Sequence, residues 1–474
     1  MRQILKPFLL TLLVITPAIT FSQGYSIRTT IHGIRDTSLI LGYYFNKQMF
    51  VKDTIQVDEN GTGTFAGEEP LDGGIYIVYL PDKSYFDLLI SDDQDFSLET
   101  TAGDLVKSQK ISGSSESGNF LQYQRFLNVK QEEAKTVQEK LKDLEKDSPE
   151  YNKVIEELRA IKKEVDDKME LTIEQNSGTF LANFLRSTKD VEVPDFDLPE
   201  NSANKDSVLQ VKRYNYYVTH YFDNIDLNDD RLLRTPVFTS RLERYFTKLL
   251  VQHPDTLYRK ANYVIGKSEN DKVRRYLIQY LFNMANESKV MGMDAMVVNL
   301  AERYYLSGEA EWADSTFLSK LQERVSKLKP NLIGKKAPDL KLQSIDGQIF
   351  KLSEVRAPIT ILVFWEPSCG HCKTEIPKLK TLVWDKYQKD GIKIFAVYTQ
   401  VEQTEWKEFI EKHDLYEWMN VYDPYQRSNF RNLYDIYSTP TIFVLDKDKM
   451  IIGKRIGAEQ LPGFIDYQLK NNSK

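Results

Sequence analysis

The spacing of hydrophobic and polar positions changes several times along the chain, and each change marks a new class of element. Between residues 25 and about 112 apolar side chains alternate with polar ones, as at Ile75, Ile77, Tyr79 and again at Phe86, Leu88, Ile90. Turn residues such as Asn60-Gly61 and Gly73-Gly74 divide these runs. A period of two puts one face of each strand on a core, so residues 23–112 are expected to form a small all-β domain, a sandwich or a barrel. From Phe120 the spacing becomes three and four, through Tyr123, Leu127, Ala134, Val137, Leu141 and Leu144, then Tyr151, Val154, Leu158, Ile161 and Val165. Asp147-Ser148-Pro149 interrupts it, and proline suits the first turn of a new helix but not a helix interior. Residues 113–178 are therefore expected to form an antiparallel helical hairpin, a self-packed spacer or a dimerisation arm that could make the protein a homodimer.

Residues 179–330 read as mainly helical, an all-α accessory domain. Tyr214, Tyr217 and Tyr221 share one face of a segment that also carries His220. Aromatics bury large areas, so core packing is the first reading of this stripe and a grip on unfolded peptides the second. From residue 331 to 474 the pattern becomes strand and helix in alternation, with apolar strands at Ile359 to Trp365, Ile392 to Tyr398 and Thr441 to Leu445. That alternation predicts a twisted α/β sheet covered by helices, with the loop after the first of these strands at a carboxyl end.

At the amino end, Arg2 and Lys6 precede the apolar run Phe8 to Ile15, which Pro7 and Pro17 bracket. The run is shorter than the roughly 20 residues that span a bilayer. Thr20 and Ser22 suit cleavage before Gln23, so residues 1–22 are expected to be a signal peptide and the mature protein periplasmic and soluble. No cysteine stands near that site to carry a lipid. The 474 residues allow three or four domains. A net charge of −6 argues against nucleic acid or an anionic membrane surface as partner.

An exported chain normally uses cysteines for structural disulfides, yet this one has two in all, Cys369 and Cys372, set as Cys-Gly-His-Cys. They fall where the apolar strand Ile359 to Trp365 gives way to a helical pattern. Unpaired backbone N–H groups at a helix start lower a thiol's pKa, and two intervening residues let one sulfur reach the other, so the pair is expected to be a redox couple. Zinc would need a second cysteine pair or a spaced histidine pair, and His32, His253 and His413 are scattered without ligand spacing, so no metal is expected. A purely structural disulfide closing so short a loop would stabilise little.

The run FWEPSCGHCKTEIP, preceded by GKKAPDLKLQSIDGQIFKLSEV and followed by LYDIYSTPTIFVLDKDKMIIGKRIG, resembles the exported TlpA/ResA branch of thioredoxin-like thiol-disulfide oxidoreductases over roughly the last 140 residues. The upstream β and helical segments look like accessory domains that precede such modules in secreted proteins of Bacteroidetes. The resemblance implies a thioredoxin-like fold and no cofactor. It makes Cys369 the exposed attacking cysteine, Cys372 the buried resolving one, and Trp365 an aromatic shelf beside them. Pro440 matches a proline that follows a cis peptide bond and lies against the disulfide, and Thr439 would offer its backbone to an extended substrate across Gly370. Glu375 matches an acidic residue near the pair. Two departures stand out: Val363 occupies the place of thioredoxin's buried aspartate, which leaves Glu375 as the candidate proton acceptor for Cys372, and Ser368 replaces a tryptophan common before the first cysteine.

His371 between the two cysteines can stabilise the Cys369 thiolate and resembles the dipeptide of protein disulfide isomerase. The expected activity is reduction of disulfides in exported proteins, with a membrane electron donor recharging the pair. Isomerase or oxidase chemistry on the same fold is the alternative, as is a partner-docking protein whose thioredoxin-like end has no catalysis. A peroxide reductase would have threonine or serine three residues before the attacking cysteine, where Glu366 stands here.

Overall fold

The computed structural model describes residues 24–197 and 204–472, so the signal-peptide reading over residues 1–22 lies outside the described residues. The chain divides into two compact units, with the boundary between Tyr245 and Phe246.

In the first unit the alternating runs form eight strands: β1 (Tyr25–His32), β2 (Ser38–Phe45), β3 (Gln48–Gln56), β4 (Thr62–Gly67), β5 (Gly74–Tyr79), β6 (Tyr85–Ile90), β7 (Asp95–Thr101) and β8 (Lys110–Ser112). They make two four-stranded sheets, ordered β4-β1-β7-β8 and β3-β2-β5-β6. Ile27, Phe65 and Leu98 from the first sheet share one core with Leu41, Val78 and Leu88 from the second, so the domain is a sandwich. Gly61 has φ +73°, and a Cβ there would lie 2.2 Å from the Ile31 carbonyl oxygen, so only glycine fits this turn.

The three-four periodicity forms α1 (Ser115–Glu139) and α2 (Pro149–Gln175). At about 1.5 Å per residue each arm is roughly 40 Å long. The break is local chemistry: Asp147 takes φ +65°, Ser148 caps α2 by accepting from the Tyr151 N–H at 3.1 Å, and Pro149 opens the helix. Val137 and Leu141 pack against Val154, Leu158 and Ile161 to hold the arms together. Next come α3 (Phe180–Thr188), α4 (Lys205–His220) and α5 (Pro236–Glu243). The tyrosine stripe is divided: Tyr221 is buried 4.9 Å from the Tyr245 ring, Tyr217 donates to Asp190 at 2.9 Å, and Tyr214 is exposed.

The second unit begins with α6 (Pro254–Gly266), α7 (Asp271–Glu287), α8 (Asp294–Leu300) and α9 (Ser315–Leu328). The stretch 179–330, expected as one helical domain, is therefore split between the units. Long-range ion pairs give the physical reason. Lys454, 3% exposed, reaches Asp294 of α8 and the Asn331 side chain, and Arg324 of α9 pairs with Asp435, so these helices share their polar contacts with the carboxyl-terminal sheet.

That sheet has seven strands: β9 (Lys341–Ser344), β10 (Ile349–Lys351), β11 (Ile359–Trp365), β12 (Lys393–Tyr398), β13 (Met419–Tyr422), β14 (Thr441–Asp446) and β15 (Ile451–Lys454). Their order is β10-β9-β13-β12-β11-β14-β15, with β11, β12 and β13 parallel and the other pairs antiparallel. Every residue of β11 is buried because the strand is covered on both faces: Ile361, Val363 and Trp365 enter one core, Leu362 and Phe364 the other. Full burial of each such side chain contributes about 1.5–3 kcal/mol, which makes β11 the anchor of the loop that follows it.

Candidate active site

Strand register builds the site. β11 ends at Trp365, and antiparallel pairing sets Phe364 opposite Thr441, the first residue of β14. Thr439 and Pro440, which precede Thr441 and are joined by a cis peptide bond, therefore lie beside the loop that leaves β11. That loop ends at Cys369, the N-cap of α10 (Gly370–Leu379). Within α10, Pro377 has no N–H to give the preceding turn, and the helix widens into a π turn over Lys380–Trp384.

Both cysteines are free thiols; Cys369 is half-buried and Cys372 is buried. The Cys369 thiol donates to the Thr439 carbonyl at 3.0 Å. Burial alone would push Cys369 up, yet its pKa lies below the ordinary thiol value. Hydrogen bonding with Thr439, and hydrogen bonds from the Cys372 backbone and thiol and the His371 backbone, outweigh burial by favouring the thiolate. Cys372 goes the other way: burial, reinforced by the neighbouring Cys369, pushes it up to about 12. Cys369 thus ionises more readily than Cys372, which is held as a thiol.

The remaining expected residues fall in different places. His371 acts on Cys369 through its backbone N–H, while its exposed side chain lines a groove with Thr439, Pro440 and Glu375. Gly370 is exposed, and a Cβ there would meet nothing within 4 Å. Trp365 is not a surface shelf: it is fully buried, 5.1 Å from the Phe409 ring, because β11 carries it into the core before the chain turns outward. Glu375 accepts from the Ala458 N–H at 3.0 Å and faces Lys378 at 3.6 Å. Among the described residues no hydrogen bond joins Glu375 to either sulfur, so its expected role as proton acceptor for Cys372 has no contact to support it.

A second carboxylate, considered in the sequence only as a departure from the peroxide reductases, bonds the residue before Pro440. Glu366, directly after β11, accepts from Thr399 Oγ1 at 3.0 Å, from Gln400 and from Thr439 Oγ1 at 3.4 Å. It ties together the carboxyl ends of β11 and β12 and the start of β14. An acidic residue between a wholly apolar strand and the first cysteine was the available signal. Among the described residues no cluster of three His, Cys, Asp or Glu could hold a metal, and no helix is long and apolar enough to cross a membrane.

Residues 333–454 match the AhpC/TSA family. Over 136 residues, 28% of this chain and 76% of the relative, the chain is 29% identical to the thiol-disulfide oxidoreductase ResA of Bacillus cereus. The carboxyl-terminal segment is a thioredoxin-like thiol-disulfide oxidoreductase domain. Among solved structures, a domain of a possible thiol-disulfide isomerase from Cytophaga hutchinsonii is 42% identical over 30% of this chain and 97% of that one, with a TM-score of 0.28. A thioredoxin-like protein from Bacteroides caccae is 19% identical over 59% of this chain and 99% of that one, with a TM-score of 0.45. Outside this oxidoreductase domain the chain carries the β-sandwich and the helices described above.

Proposed function

We propose that this protein is exported to the periplasm and reduces disulfides in other exported proteins. The observation that carries the reading is the division of labour between the sulfurs: a half-exposed Cys369 with a lowered pKa, and a buried Cys372 held protonated. The Cys369 thiolate attacks one sulfur of a substrate disulfide, that S–S bond breaks, and the departing sulfur takes up a proton as a thiol. Cys372 then loses its proton and attacks Cys369 Sγ. The mixed disulfide breaks, the second substrate sulfur leaves as a thiol, and two electrons have passed from the Cys369–Cys372 dithiol to the substrate. Two of the effects that hold Cys372 up come from Cys369 itself, its charge and its hydrogen bond, and both vanish once Cys369 is bonded to substrate. The first step therefore prepares the second. A membrane electron carrier would return the pair to the dithiol.

The lowered pKa of Cys369 also favours the reduced form, which makes the disulfide more oxidising and supports the isomerase or oxidase reading. Two measurements separate the cases. Insulin reduction with dithiothreitol should be accelerated by the full-length protein and not by Cys369→Ser; equal rates would leave only a docking role. The midpoint potential against glutathione should fall near or below the thioredoxin value of about −270 mV, whereas a value near about −180 mV would assign isomerase chemistry.

A further inference from the structure

The groove lined by His371, Thr439 and Pro440, which are neighbours of the dithiol, also reaches a cluster of charges that disulfide exchange does not use. It encloses about 950 Å³, and Arg324, Asp435 and Arg455 line its wall. Asp435 is 1% exposed and is shared by two guanidinium groups, Arg324 from α9 and Arg455 just after β15, the latter donating at 2.7 Å. One buried carboxylate between two arginines leaves a surplus positive charge on this wall. The Arg455 side chain is 50% exposed, and one of its five N–H donors goes to Asp435. Arg324 is held from the other side by the exposed Tyr437 ring, 5.0 Å away.

The other carboxylate in the groove, Glu375, is already engaged by the Ala458 N–H and Lys378, and Lys378 also reaches the solvent-exposed Glu459. Both Asp435 and Arg455 take left-handed backbone, at φ +53° and +54°, a conformation that costs non-glycine residues energy and is concentrated at functional sites.

Resting on the disulfide-reduction reading, we propose that this wall makes the enzyme selective for disulfides flanked by acidic residues, with Arg455 as the contacting group and Arg324 as the residue that positions it through Asp435. A substrate carboxylate in the groove would take the open guanidinium donors of Arg455 in the bidentate geometry that arginine offers. Arg324 belongs to a helix outside the matched oxidoreductase segment, so the selectivity is a property of this chain's accessory helices joined to its redox sheet.

The test uses the reduced full-length protein and three synthetic peptides, identical except that glutamate, glutamine or lysine flanks a serine in place of the half-cystine. Fluorescence anisotropy should show the glutamate peptide binding about tenfold more tightly than the lysine peptide at low salt, with glutamine between them. In Arg455→Gln that ratio should fall toward one, and Arg324→Gln should reduce it. Equal binding of the glutamate and lysine peptides, no binding of any of the three, or a preference unchanged in both variants overturns the proposal. The same peptides with cystine report separately on reduction: charge preference without turnover would preserve the groove assignment and remove the reductase reading.

Discussion

Brief alkylation of the reduced protein with iodoacetamide at pH 7 should modify Cys369 and spare Cys372. Cys372 stands at about 12 against an ordinary thiol at 9.0. At pH 7 the first is roughly 10⁻⁵ thiolate and the second roughly 10⁻², a factor of about 10³ in reactive species. Intrinsic nucleophilicity partly compensates, because a Brønsted slope of about 0.4–0.5 returns roughly 20-fold over three units, leaving a net deficit of about 50-fold. The lowered pKa of Cys369 and the burial of Cys372 act in the same direction, so the expected ratio of labelling rates is on the order of 50-fold or more. Both cysteines precede Lys373 on one tryptic peptide, so fragment ions must assign the label. In Cys369→Ala the charge and hydrogen bond that help hold Cys372 up are gone, and its labelling should quicken. Labelling of Cys372 within about tenfold of Cys369, or slower labelling of Cys372 in the variant, would refute the assignment of attacking and resolving roles.

The other predictions concern trapping, the loop anchor, the buried carboxylate and pH. Cys372→Ala should accumulate mixed disulfides through Cys369, seen as covalent partners on non-reducing gels of exported extracts; recovery of none would count against substrate reduction. Glu366→Gln keeps the shape but removes the charge that accepts from Thr399, Gln400 and Thr439, and urea unfolding should register a loss of about 1–3 kcal/mol. Asp435→Asn leaves the partly exposed Arg324 and Arg455 without their shared counter-charge, and a loss of about 1–3 kcal/mol is expected by the same measurement. Cys372 has a raised folded pKa, so its contribution to stability is complete below pH 9 and fades as pH rises toward 12; between pH 9 and pH 10 the reduced protein should lose roughly 1 kcal/mol that the disulfide form, with no thiol to ionise, retains. Cys369, shifted down, acts in the opposite sense below pH 9, so the comparison belongs above that value.

What the sequence revealed and what it hid divide by range. Ser148-Pro149 announces a helix start because capping and the fixed φ of proline act within four residues, and Ile359 to Trp365 announces a buried strand because seven consecutive apolar residues have no polar face to expose. The redox pair is equally local, two cysteines at the first turn of a helix. By contrast, β9, β10, β13 and β15 have three or four residues each, too short for a period to show, and they take their place from neighbours already in the sheet. The helices of residues 254–328 carry amphipathic stripes that look the same whichever partner they bury, so the unit boundary at Tyr245 left no mark in the pattern.

Trp365 shows the same limit at the scale of one residue. Its neighbour Glu366 faces the polar ends of three strands while Trp365 lies in the core, and adjacent strand positions trade places with a change of register that only tertiary pairing decides. Arg324 and Asp435 are 111 positions apart, and nothing near either residue in sequence names the other. The chemistry of the site is therefore written locally, in Cys369 to Cys372, whereas the wall that would choose among substrates is assembled from separate parts of the unit. A relative could keep the first and exchange the second without altering the motif by which the family is recognised, and substrate preference should accordingly follow Arg324 and Arg455 rather than the residues between the cysteines.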